Sequence, residues 1–497
     1  MIKAWAFKIM SWYLARQHAI RYQDMEKSQE QTLYQLLKSA QNTDYGQRYG
    51  FKHIKTYDAF TEQVPLIHYH DLLPYFERIA AGSANILWPQ HPLAFVHSSG
   101  STGGRKHLPI FRSMVKSQHR GRLIAMAYYA HQHKNYDCFT KPMLILSAAD
   151  AKMQYGQYPS QLLSHILSQQ LPKIVKRNTY PHQNINKLYE FNERMAFISN
   201  ELIKDQANLS GIVGFPPWML YLLKDIQNKG HSSKQLLRNI SVYVSSGMSL
   251  KPYEKAIRSA LPEQCNILQT YPSSEGFLGF TPASNSYELC LMPKNGIFYE
   301  FISLEDYHQN KLQTHRTDSL ENNKDYVVVI SNNSGLFRYI IGDTIHITNT
   351  KPLRFTISGR ISNTLGIMGE HLTQSQWDNA LYETQQNLNC LFQLSLVSAQ
   401  NNSAMNTQRY EVILECNNSE TDSNTIANTL HMALKKQNIL YETYADEGLI
   451  IAPKVQCVGI GELLHKHQQV QAINEQSKWL SICTDYSKFK TIQNAFK

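Results

Sequence analysis

The sequence predicts an α/β protein, and three observations along the chain predict it. Between residues 90 and 275, apolar strand-like segments alternate with segments of helical periodicity, which predicts mixed, mostly parallel sheets with covering helices. Residues 287–358 hold successive short strands and predict an antiparallel or β-barrel-like subdomain. A smaller α+β pattern follows. We therefore expect a large N-terminal domain over residues 1–358 and a small C-terminal domain over 359–497.

The individual elements follow in chain order. Residues 3–48 have helical periodicity, and Lys8 interrupts the first apolar residues, so we expect an amphipathic helix rather than a secretory signal. Predicted strands of the large domain lie at 93–96, 143–146, 211–215, 240–244, 266–271, 298–304, 326–330, 336–341 and 345–348. Its later helices lie at about 112–132, 183–206 and 217–229. The small domain is predicted to hold helices at 373–388 and 422–437 and strands at 391–397 and 410–415.

Composition and charge exclude several classes of protein. Apolar residues make up 42% of the 497 residues, and no apolar run approaches the roughly 20 residues of a membrane span. Lys and Arg outnumber Asp and Glu by 49 to 39, but they are spread along the chain, so we expect no nucleic-acid partner. The seven cysteines include no Cys-x-x-Cys pair, which favours free thiols, a cytoplasmic location and no zinc site.

The first chemical motif lies at residues 98–106, which are Ser-Ser-Gly-Ser-Thr-Gly-Gly-Arg-Lys. Small side chains let the backbone approach an anion closely, hydroxyl and N–H groups supply donors, and Arg105 and Lys106 supply positive charge. These are the requirements of a triphosphate. The segment is not a Walker loop, because no Gly-Lys-Ser/Thr closes it. Taken alone, it is also the composition of an ordinary surface turn.

Two further segments strengthen the nucleotide interpretation. Residues 269–277 end a β-prone stretch in small residues followed by Glu275, whose carboxylate at a strand end is suited to hold Mg²⁺ beside phosphates. Residues 335–343 end an apolar run at Gly342 and Asp343, and a carboxylate there can accept hydrogen bonds from ribose hydroxyls. An exposed turn or a hairpin explains each segment alone. All three in this order are much rarer by chance, and together they predict a nucleotide site.

The three segments resemble the signature regions of the acyl-adenylate-forming enzymes, the superfamily of acyl-CoA synthetases, adenylation domains and luciferases. More closely, the chain resembles the plant Gretchen Hagen auxin-responsive acyl acid amido synthetases and their bacterial relatives. The similarity extends over nearly the whole chain, with further matching text at residues 64–66, 86–89, 296–302, 326–331, 357–360 and 369–370. The resemblance implies a large acyl-adenylate-forming N-terminal domain and a small C-terminal domain that rotates between half-reactions.

The resemblance also implies roles for individual residues, which together form an expected site for ATP and Mg²⁺. Those that would contact the phosphates are Ser98, Ser99, Gly100, Ser101, Thr102, Gly103 and Gly104, with Lys106 as a supporting cation. Those that would border the adenine and the adenylate are Ser246, Gly247, Tyr271 and Ser274. Glu275 would hold Mg²⁺ and Asp343 the ribose hydroxyls, and Tyr271 and Glu275 are also assigned to catalysis. Arg338 would support the Asp343 motif, and Arg360 would reach the nucleotide from the hinge between the domains.

In this family a C-terminal lysine contacts the reacting carboxylate, within the pattern Gln-x-Lys-x-Pro-Arg. Residues 476–481 are Gln-Ser-Lys-Trp-Leu-Ser, which keep the Gln and Lys but lack the Pro and Arg. Lys478 is therefore the predicted catalytic lysine, with Lys488 and Lys490 as alternatives. Two other departures are Ser-Thr at 101–102, where Thr-Ser or Thr-Thr is usual, and Pro272 after the motif tyrosine. These departures concern turnover more than ATP binding.

The function implied by the resemblance is that of an AMP-forming acid–amino acid ligase. Such an enzyme adenylates a carboxylic acid, releases pyrophosphate and transfers the acyl group to an amine, here expected to be an amino acid. Two alternatives stay open: a ligase whose acceptor is coenzyme A or a carrier thiol, and a non-catalytic nucleotide-binding relative. The family text outside the core motifs favours the amido synthetase, whereas the altered segment around Lys478 favours the non-catalytic relative.

Overall fold

The computed structural model describes residues 2–98, 106–146, 153–171, 173–181, 188, 191–361, 364–368, 370–399, 407–416, 422–470 and 481–496. Its strands are β1 (Ala94–Ser98), β2 (Lys106–Ile110), β3 (Met143–Ile145), β4 (Met153–Tyr155), β5 (Tyr158–Gln161), β6 (Thr179–Tyr180), β7 (Gly211–Gly214), β8 (Val242–Ser246), β9 (Asn266–Ser273), β10 (Gly276–Phe280), β11 (Cys290–Leu291), β12 (Ile297–Ser303), β13 (Asp325–Asn332), β14 (Tyr339–Thr350), β15 (Leu353–Arg360), β16 (Phe392–Ala399), β17 (Tyr410–Cys416) and β18 (Lys454–Val458).

The helices of the same ranges are α1 (Ile2–Gln23), α2 (Met25–Ala40), α3 (Asp44–Arg48), α4 (Tyr57–Gln63), α5 (Tyr69–Ala80), α6 (Arg112–His133), α7 (Asp137–Thr140), α8 (Leu163–Gln169), α9 (Lys173–Arg177), α10 (Phe191–Asp205), α11 (Pro216–Asn228), α12 (Ser233–Leu236), α13 (Glu254–Ala260), α14 (Leu304–His308), α15 (Gln374–Leu388), α16 (Ser423–Gln437), α17 (Ile439–Asp446), α18 (Glu462–Val470) and α19 (Tyr486–Asn494). A short 3-10 helix, Lys251–Tyr253, precedes α13. Among these described helices, none combines the length and the apolar character needed to cross a bilayer.

The internal contacts of the chain divide it into two compact units. Unit 1 comprises Met1–Gly214, Asn239–Gly247 and Gln264–Thr356, and unit 2 comprises Phe215–Arg238, Met248–Glu263 and Ile357–Lys497. The last segment of unit 2 begins beside the predicted boundary at 359. Unit 2 also takes in two segments that the sequence predicts for the large domain. The 3-10 helix Lys251–Tyr253 packs against α15 and β16, and α11 packs against this 3-10 helix and α13. The assignment of two functional domains stays a prediction.

Unit 1 is built around a seven-stranded sheet with the strand order β11-β10-β9-β8-β7-β3-β6. The strands from β9 to β6 are parallel neighbours, and β10 and β11 add an antiparallel edge. Most residues of β7 and β8 are buried, as expected for a parallel sheet, and the predicted parallel core is thus confirmed. α6 packs against β9 and β10, and α1 packs against α6.

Helix α6 lies close to this sheet at Gly121. A Cβ atom added to Gly121 would lie 2.4 Å from the Cδ1 atom of Phe277 on β10, so a larger residue would push the helix away from the strand. Ile124 and Tyr129 of the same helix join Phe277 and Phe280 in one buried apolar cluster. The position of α6 along the β9–β10 hairpin is therefore set by packing.

Two smaller sheets complete unit 1. In the sheet β2-β1-β5-β4, β1 and β2 form an antiparallel hairpin. The sequence does not predict β2, because it contains Pro109, which a strand tolerates only at a sheet edge such as this one. In the sheet β12-β13-β14-β15, neighbouring strands from β12 to β14 are antiparallel as expected. Within the described residues this sheet is open and does not close into a barrel.

The two strands predicted at 336–341 and 345–348 are one strand, β14. Its pairing with β13 shifts between two positions: Val327 faces Thr344, but Val329 faces Ile340. Residues 341–343 therefore form a bulge opposite a single residue of β13. The break in the apolar pattern that suggested two strands is the bulge itself.

A buried ion pair ties the start of β14 to the rest of unit 1. The Nε–H of Arg338 lies 3.2 and 3.3 Å from the two carboxylate oxygens of Glu300 on β12. The same guanidinium donates to the carbonyls of Thr61 (3.0 Å) and Val64 (2.9 Å) and to the Thr314 hydroxyl (3.0 Å). Both charged side chains are almost fully buried. Arg338 thus holds the C-terminal end of α4 against the sheet.

Unit 2 contains a three-stranded sheet in which β17 is antiparallel to β16 and parallel to β18. α15 begins with a capping box formed by Thr373 and Gln376. Its Trp377 is fully buried and donates to the Ser395 hydroxyl on β16 (3.1 Å). α15 and α16 pack against each other. The helices and strands predicted for the small domain are therefore confirmed.

One carboxylate of α15 is buried close to a lysine. Asp378 accepts a hydrogen bond from the Gln374 amide (2.7 Å). Burial raises the pKa of Asp378 to about 7, against the opposing effects of the Gln374 bond and the Lys251 charge. Burial also lowers the pKa of Lys251, whose ammonium donates to the Asn379 side chain (2.7 Å). Folding therefore increases the proton affinity of Asp378.

We expect Arg338→Met to lower the free energy of unfolding by about 3–5 kcal/mol, because Glu300 would keep a buried charge without its partner. Denaturant unfolding followed by circular dichroism measures the change. The control is Lys324→Met, which removes the exposed Lys324–Glu321 pair beside β13 and should unfold at the wild-type denaturant concentration. Wild-type stability of Arg338→Met would contradict the structural role of this ion pair.

The raised pKa of Asp378 predicts a pH-dependent stability of unit 2. Its contribution is fully present below the ordinary pKa of 3.8 and is lost as pH rises through about 7. Asp378→Asn removes this titration, so the variant should gain stability relative to wild type between about pH 5 and about pH 8. Denaturant unfolding at both pH values measures the difference. Glu383→Gln, in a more exposed ion pair of α15, should keep the wild-type pH profile; the same profile in Asp378→Asn would refute the assignment.

Candidate functional site

The first predicted segment connects the strands of the β1–β2 hairpin. Ser98 ends β1 and pairs with Lys106, which begins β2. The Lys106 ammonium lies 5.5 Å from the centre of the Tyr69 ring, a cation–π distance. Of the predicted phosphate contacts, those that lie outside the described residues are Ser99, Gly100, Ser101, Thr102, Gly103 and Gly104.

Two histidines face each other at the base of this segment. His97 on β1 and His107 on β2 are cross-strand partners, and the Nδ1 atom of each contacts the hydroxyl of Ser160 on β5 (3.1 and 2.9 Å). His107 also stacks on Tyr155 of β4, with 4.5 Å between ring centres. This cluster links both strands of the hairpin to β5. Sequence reasoning missed it, because His97 and His107 stand ten residues apart and show no motif.

The second predicted segment lies where two parallel strands end. β8 ends at Ser246 and pairs with β9, so Ser246, Gly247 and Tyr271 lie at the same carboxyl edge of the seven-stranded sheet. Ligands bind at this edge in open α/β sheets. Ser274 and Glu275 occupy the tight turn from β9 to β10 and are partly exposed. The turn therefore places the Glu275 carboxylate at the carboxyl edge of the sheet.

The third predicted segment meets the second at a buried hydrogen bond. The Tyr271 hydroxyl on β9 donates to Oδ2 of Asp343 on β14 over 2.6 Å. Asp343 lies at the bulge of β14, beside Gly342, whose φ of +85° favours glycine. Because a bulge changes the direction in which a side chain leaves its strand, it lets a residue of one sheet reach a strand of another. The structure thus brings Tyr271 and Asp343 together.

Asn332 joins the turns that flank these two residues. Its side-chain amide donates to the carbonyl of Glu275 (2.7 Å). Its side-chain oxygen accepts from the N–H groups of Ser334 (2.9 Å) and Leu336 (3.2 Å). One buried side chain therefore holds the Glu275 turn against the turn that leads into Arg338 and β14. No sequence pattern marks Asn332, and its role was missed.

The first turns of α6 contact the same two turns. Gln118 donates to the Ser273 carbonyl (2.8 Å), and Ser113 donates to the Asn333 carbonyl (2.6 Å). Asn333 in turn donates to the Ser117 hydroxyl (2.7 Å). The helix starts at Arg112, just after β2, so it connects the first segment to the other two. The one sequence signal for these contacts is the i, i+4 spacing of the two serines on one helix face.

The two predicted arginines differ in position. The guanidinium of Arg338 binds Glu300 and the C-terminal end of α4. Its support of the Asp343 motif and a direct nucleotide contact both stay predictions. Arg360 is the last residue of β15 and belongs to unit 2. Its predicted contact with the nucleotide stays a prediction.

The predicted catalytic lysine, Lys478, lies outside the described residues. The two alternatives are both on α19 in unit 2. Lys490 pairs with Glu411 on β17 (2.7 Å). Lys488 lies in the first turn, where its N–H donates to the capping side chain of Asp485 (3.1 Å). The choice among the three lysines stays a prediction.

Glu275 has the chemistry of a Mg²⁺ ligand. Mg²⁺ prefers oxygen donors and is commonly held by one or two carboxylates together with substrate phosphates and water. In the part of the chain that the structure describes, no group of three or more His, Cys, Asp or Glu side chains could hold a metal ion. A single carboxylate in a partly exposed turn at the sheet edge fits this kind of Mg²⁺ site, in which phosphate oxygens and water complete the coordination shell.

Comparison with known proteins identifies relatives of the chain. Residues 21–201 match the GH3 family N-terminal domain and residues 290–360 match the GH3 family central domain, together about half of the chain. The chain is 22% identical over 396 residues to the indole-3-acetic acid-amido synthetase GH3.8 of Oryza sativa subsp. indica, covering 65% of this chain and 64% of the rice protein. It is also 22% identical over 418 residues to the jasmonoyl–L-amino acid synthetase JAR6 of Nicotiana attenuata, covering 69% and 71%. The chain thus spans less than two thirds of the length of the rice protein.

Solved structures share the fold. The acyl acid amido synthetase AtGH3.15 in complex with 2,4-DB has a TM-score of 0.79 at 15% identity, covering 98% of this chain and 96% of that chain. A 2-hydroxyisobutyryl-CoA ligase in complex with 2-HIB-AMP has a TM-score of 0.63 at 14% identity, covering 94% and 91%. The predicted fold class, a mixed α/β protein with a small C-terminal domain, is confirmed. The two domain matches, which together cover about half of the chain, establish that the chain belongs to the GH3 family.

Proposed function

We propose that the protein is an ATP-dependent acyl acid amido synthetase, an AMP-forming ligase that joins a carboxylic acid to an amino acid. The observation that carries the proposal is the 2.6 Å contact between Tyr271 and Asp343, which brings two of the three nucleotide segments together in unit 1. Family membership supports it, since the rice relative is named an amido synthetase and the Nicotiana relative an amino acid synthetase.

The chemistry explains why such a site needs a nucleotide. A carboxylate is a poor acyl donor, because its leaving group would be oxide. Attack of the carboxylate oxygen on the α-phosphorus of ATP forms a P–O bond and expels pyrophosphate. The resulting mixed anhydride has AMP as a good leaving group, which an amine nitrogen then displaces while losing a proton. The first step brings two anions together, so positive charge must stabilise the transition state.

The proposed roles combine what the family resemblance implies with the positions of the described residues. Asp343 accepts hydrogen bonds from the ribose hydroxyls, and the Tyr271 hydroxyl fixes the orientation of that carboxylate. Residues 98–104 surround the phosphates, with Lys106 as a nearby cation. Glu275 holds Mg²⁺, which supplies charge neutralisation for the phosphates. Lys478 approaches the reacting carboxylate. Ser246 and Gly247 border the adenine at the carboxyl edge of the sheet.

A thioester-forming ligase is the second candidate. The observation that favours it is the shared fold with the 2-hydroxyisobutyryl-CoA ligase, which covers 94% of the chain. Family membership favours amide formation.

We further propose a cytoplasmic location, because all seven cysteines are free thiols and a reducing compartment keeps them so.

Substitution of Asp343 tests the nucleotide site directly. We expect Asp343→Ala to reduce kcat/KM for ATP in pyrophosphate exchange by about 10- to 100-fold, because hydrogen bonds to a charged acceptor are lost. Glu305→Gln, which removes an exposed carboxylate next to the same sheet, should keep wild-type exchange. Circular dichroism checks that both variants are folded. Undiminished exchange by a folded Asp343→Ala protein would refute the ribose assignment.

The acceptor decides between the two candidate functions. Pyrophosphate release is screened with aryl, indolic and fatty acids, and hydroxylamine traps the activated acyl group. With an acid that releases pyrophosphate, we expect an amide product by mass spectrometry when amino acids are added, and no thioester when coenzyme A is added alone. A thioester with coenzyme A would support the second candidate. Absence of pyrophosphate release with every acid would leave the non-catalytic relative.

A further inference from the structure

Helix α1 (Ile2–Gln23) has apolar side chains on two opposite faces. Its inward face packs against α6, with Ser11 and His18 buried and Phe7 stacked on Phe139 at 5.3 Å between ring centres. A surface helix of a globular protein normally carries polar residues on its other face. The outward face of α1 instead carries large apolar and aromatic residues, so packing within unit 1 does not account for it.

We call these residues the outward stripe: Trp5, Ile9, Trp12, Tyr13 and Ile20, which are 66%, 43%, 45%, 54% and 49% exposed. Ile9 lies four residues after Trp5, Trp12 and Tyr13 lie three and four residues after Ile9, and Ile20 lies eight residues after Trp12. These intervals place all five side chains on one side of the helix. The stripe is about 22 Å long at 1.5 Å per residue. Scattered exposed apolar residues are ordinary, but several of them on one face of a helix mark an interaction surface.

The charge of α1 is entirely basic. Residues 2–23 contain four Lys or Arg residues and no Asp or Glu. Arg16 lies within the stripe, with its guanidinium carbon 5.3 Å from the centre of the Trp12 ring, and Lys8 is exposed at the edge. A partner that matches this surface therefore offers an apolar region for the exposed rings and negative charge for the basic residues.

The acidic residues that follow α1 do not neutralise it. Asp24, which directly precedes α2, forms an ion pair with Lys27 in the first turn of that helix at 3.9 Å. Glu26 and Glu30 both pair with Arg316, at 2.8 and 3.3 Å. These carboxylates are engaged by cations outside α1. The positive charge of the outward stripe is therefore left for an external partner.

We propose that α1 binds the surface of an anionic phospholipid membrane, lying parallel to it. The outward stripe enters the headgroup region, where tryptophan and tyrosine rings are favoured because they are apolar with one polar edge. Lys8 and Arg16 extend their charged ends to lipid phosphates while their methylene groups cover apolar surface. A basic helix with aromatic residues on one face has the composition of interfacial membrane helices.

A second copy of the chain fits this surface less well. A stable dimer buries about 800 Å² on each partner, more than one helix face of this length provides. In a two-fold contact the stripe would face itself, so Lys8 and Arg16 would approach the same basic residues. No acidic residue of α1 could compensate for that repulsion. The lipid surface satisfies both the apolar and the charged parts of the stripe.

The test is sedimentation of the full-length protein with vesicles. We expect binding to vesicles of phosphatidylserine and phosphatidylcholine, and much weaker binding to phosphatidylcholine alone. Trp5→Ser/Trp12→Ser should weaken binding at least about tenfold, because the rings supply the apolar contact. Lys8→Gln/Arg16→Gln should weaken vesicle binding about fivefold for each charge removed. Added salt should also weaken the binding of the wild-type protein.

The control is Met432→Ser/Ile439→Ser, which removes two exposed apolar side chains of α16 and α17 and should bind vesicles like wild type. Thermal unfolding shows whether each variant keeps the wild-type fold, as expected for substitutions on an exposed face. The proposal is overturned if wild type binds neither vesicle or binds both equally. It is also overturned if the stripe variants bind as wild type does, or if wild type is a dimer that Trp5→Ser/Trp12→Ser dissociates.

Discussion

The hydrogen bond from the Tyr271 hydroxyl to the Asp343 carboxylate joins two different sheets, and the candidate site depends on it. β9 belongs to the seven-stranded sheet and β14 to the four-stranded sheet, so no backbone pairing holds these two strands together. The contact is buried and ends on a carboxylate, which makes it one of the stronger kinds of hydrogen bond. Around it, Asn332 and the start of α6 hold the adjoining turns by further hydrogen bonds. The site is thus fixed by side chains at the junction of two rigid layers.

Rigid layers with a polar junction suit the proposed chemistry. The carboxyl edge of a parallel sheet provides backbone groups and strand ends at defined positions, and the buried ion pair of Arg338 and Glu300 keeps β14 in place. Ground-state geometry of this kind reduces the reorganisation that a reaction between two anions would otherwise need. The same reasoning separates the roles of Arg338 and Asp343. Arg338 acts on the fold, whereas the position of Asp343 suits a ligand contact.

The sequence predicts local features better than contacts between distant segments. Local patterns of a few residues predict some elements directly. Examples are the apolar runs of β3 and β7 and the capping residues of α15. β2 escapes prediction because Pro109 is acceptable only when the strand lies at an edge, and the edge depends on the whole sheet. The bulge at Gly342 resembles a strand end in sequence. Asn332 and Ser160 show no pattern, since their partners come from segments far away along the chain.

In α1 the sequence predicts the helix itself but not which of its faces is exposed. Its apolar composition predicts an amphipathic helix, but the sequence alone does not distinguish residues that face α6 from those that face outward. Burial of Ser11 and His18 sets the inward side, and this leaves the two tryptophans exposed. A helix that packs against the core on one side and binds a partner on the other needs apolar residues on both of these faces.

A crystal structure with a non-hydrolysable ATP analogue and Mg²⁺ tests the central claim most directly. The account predicts ribose hydroxyls within hydrogen-bond distance of Asp343, a metal ion at Glu275, and phosphates against residues 98–104. A well-ordered nucleotide at another place in unit 1, with the Asp343 carboxylate still contacted only by protein groups, would contradict it.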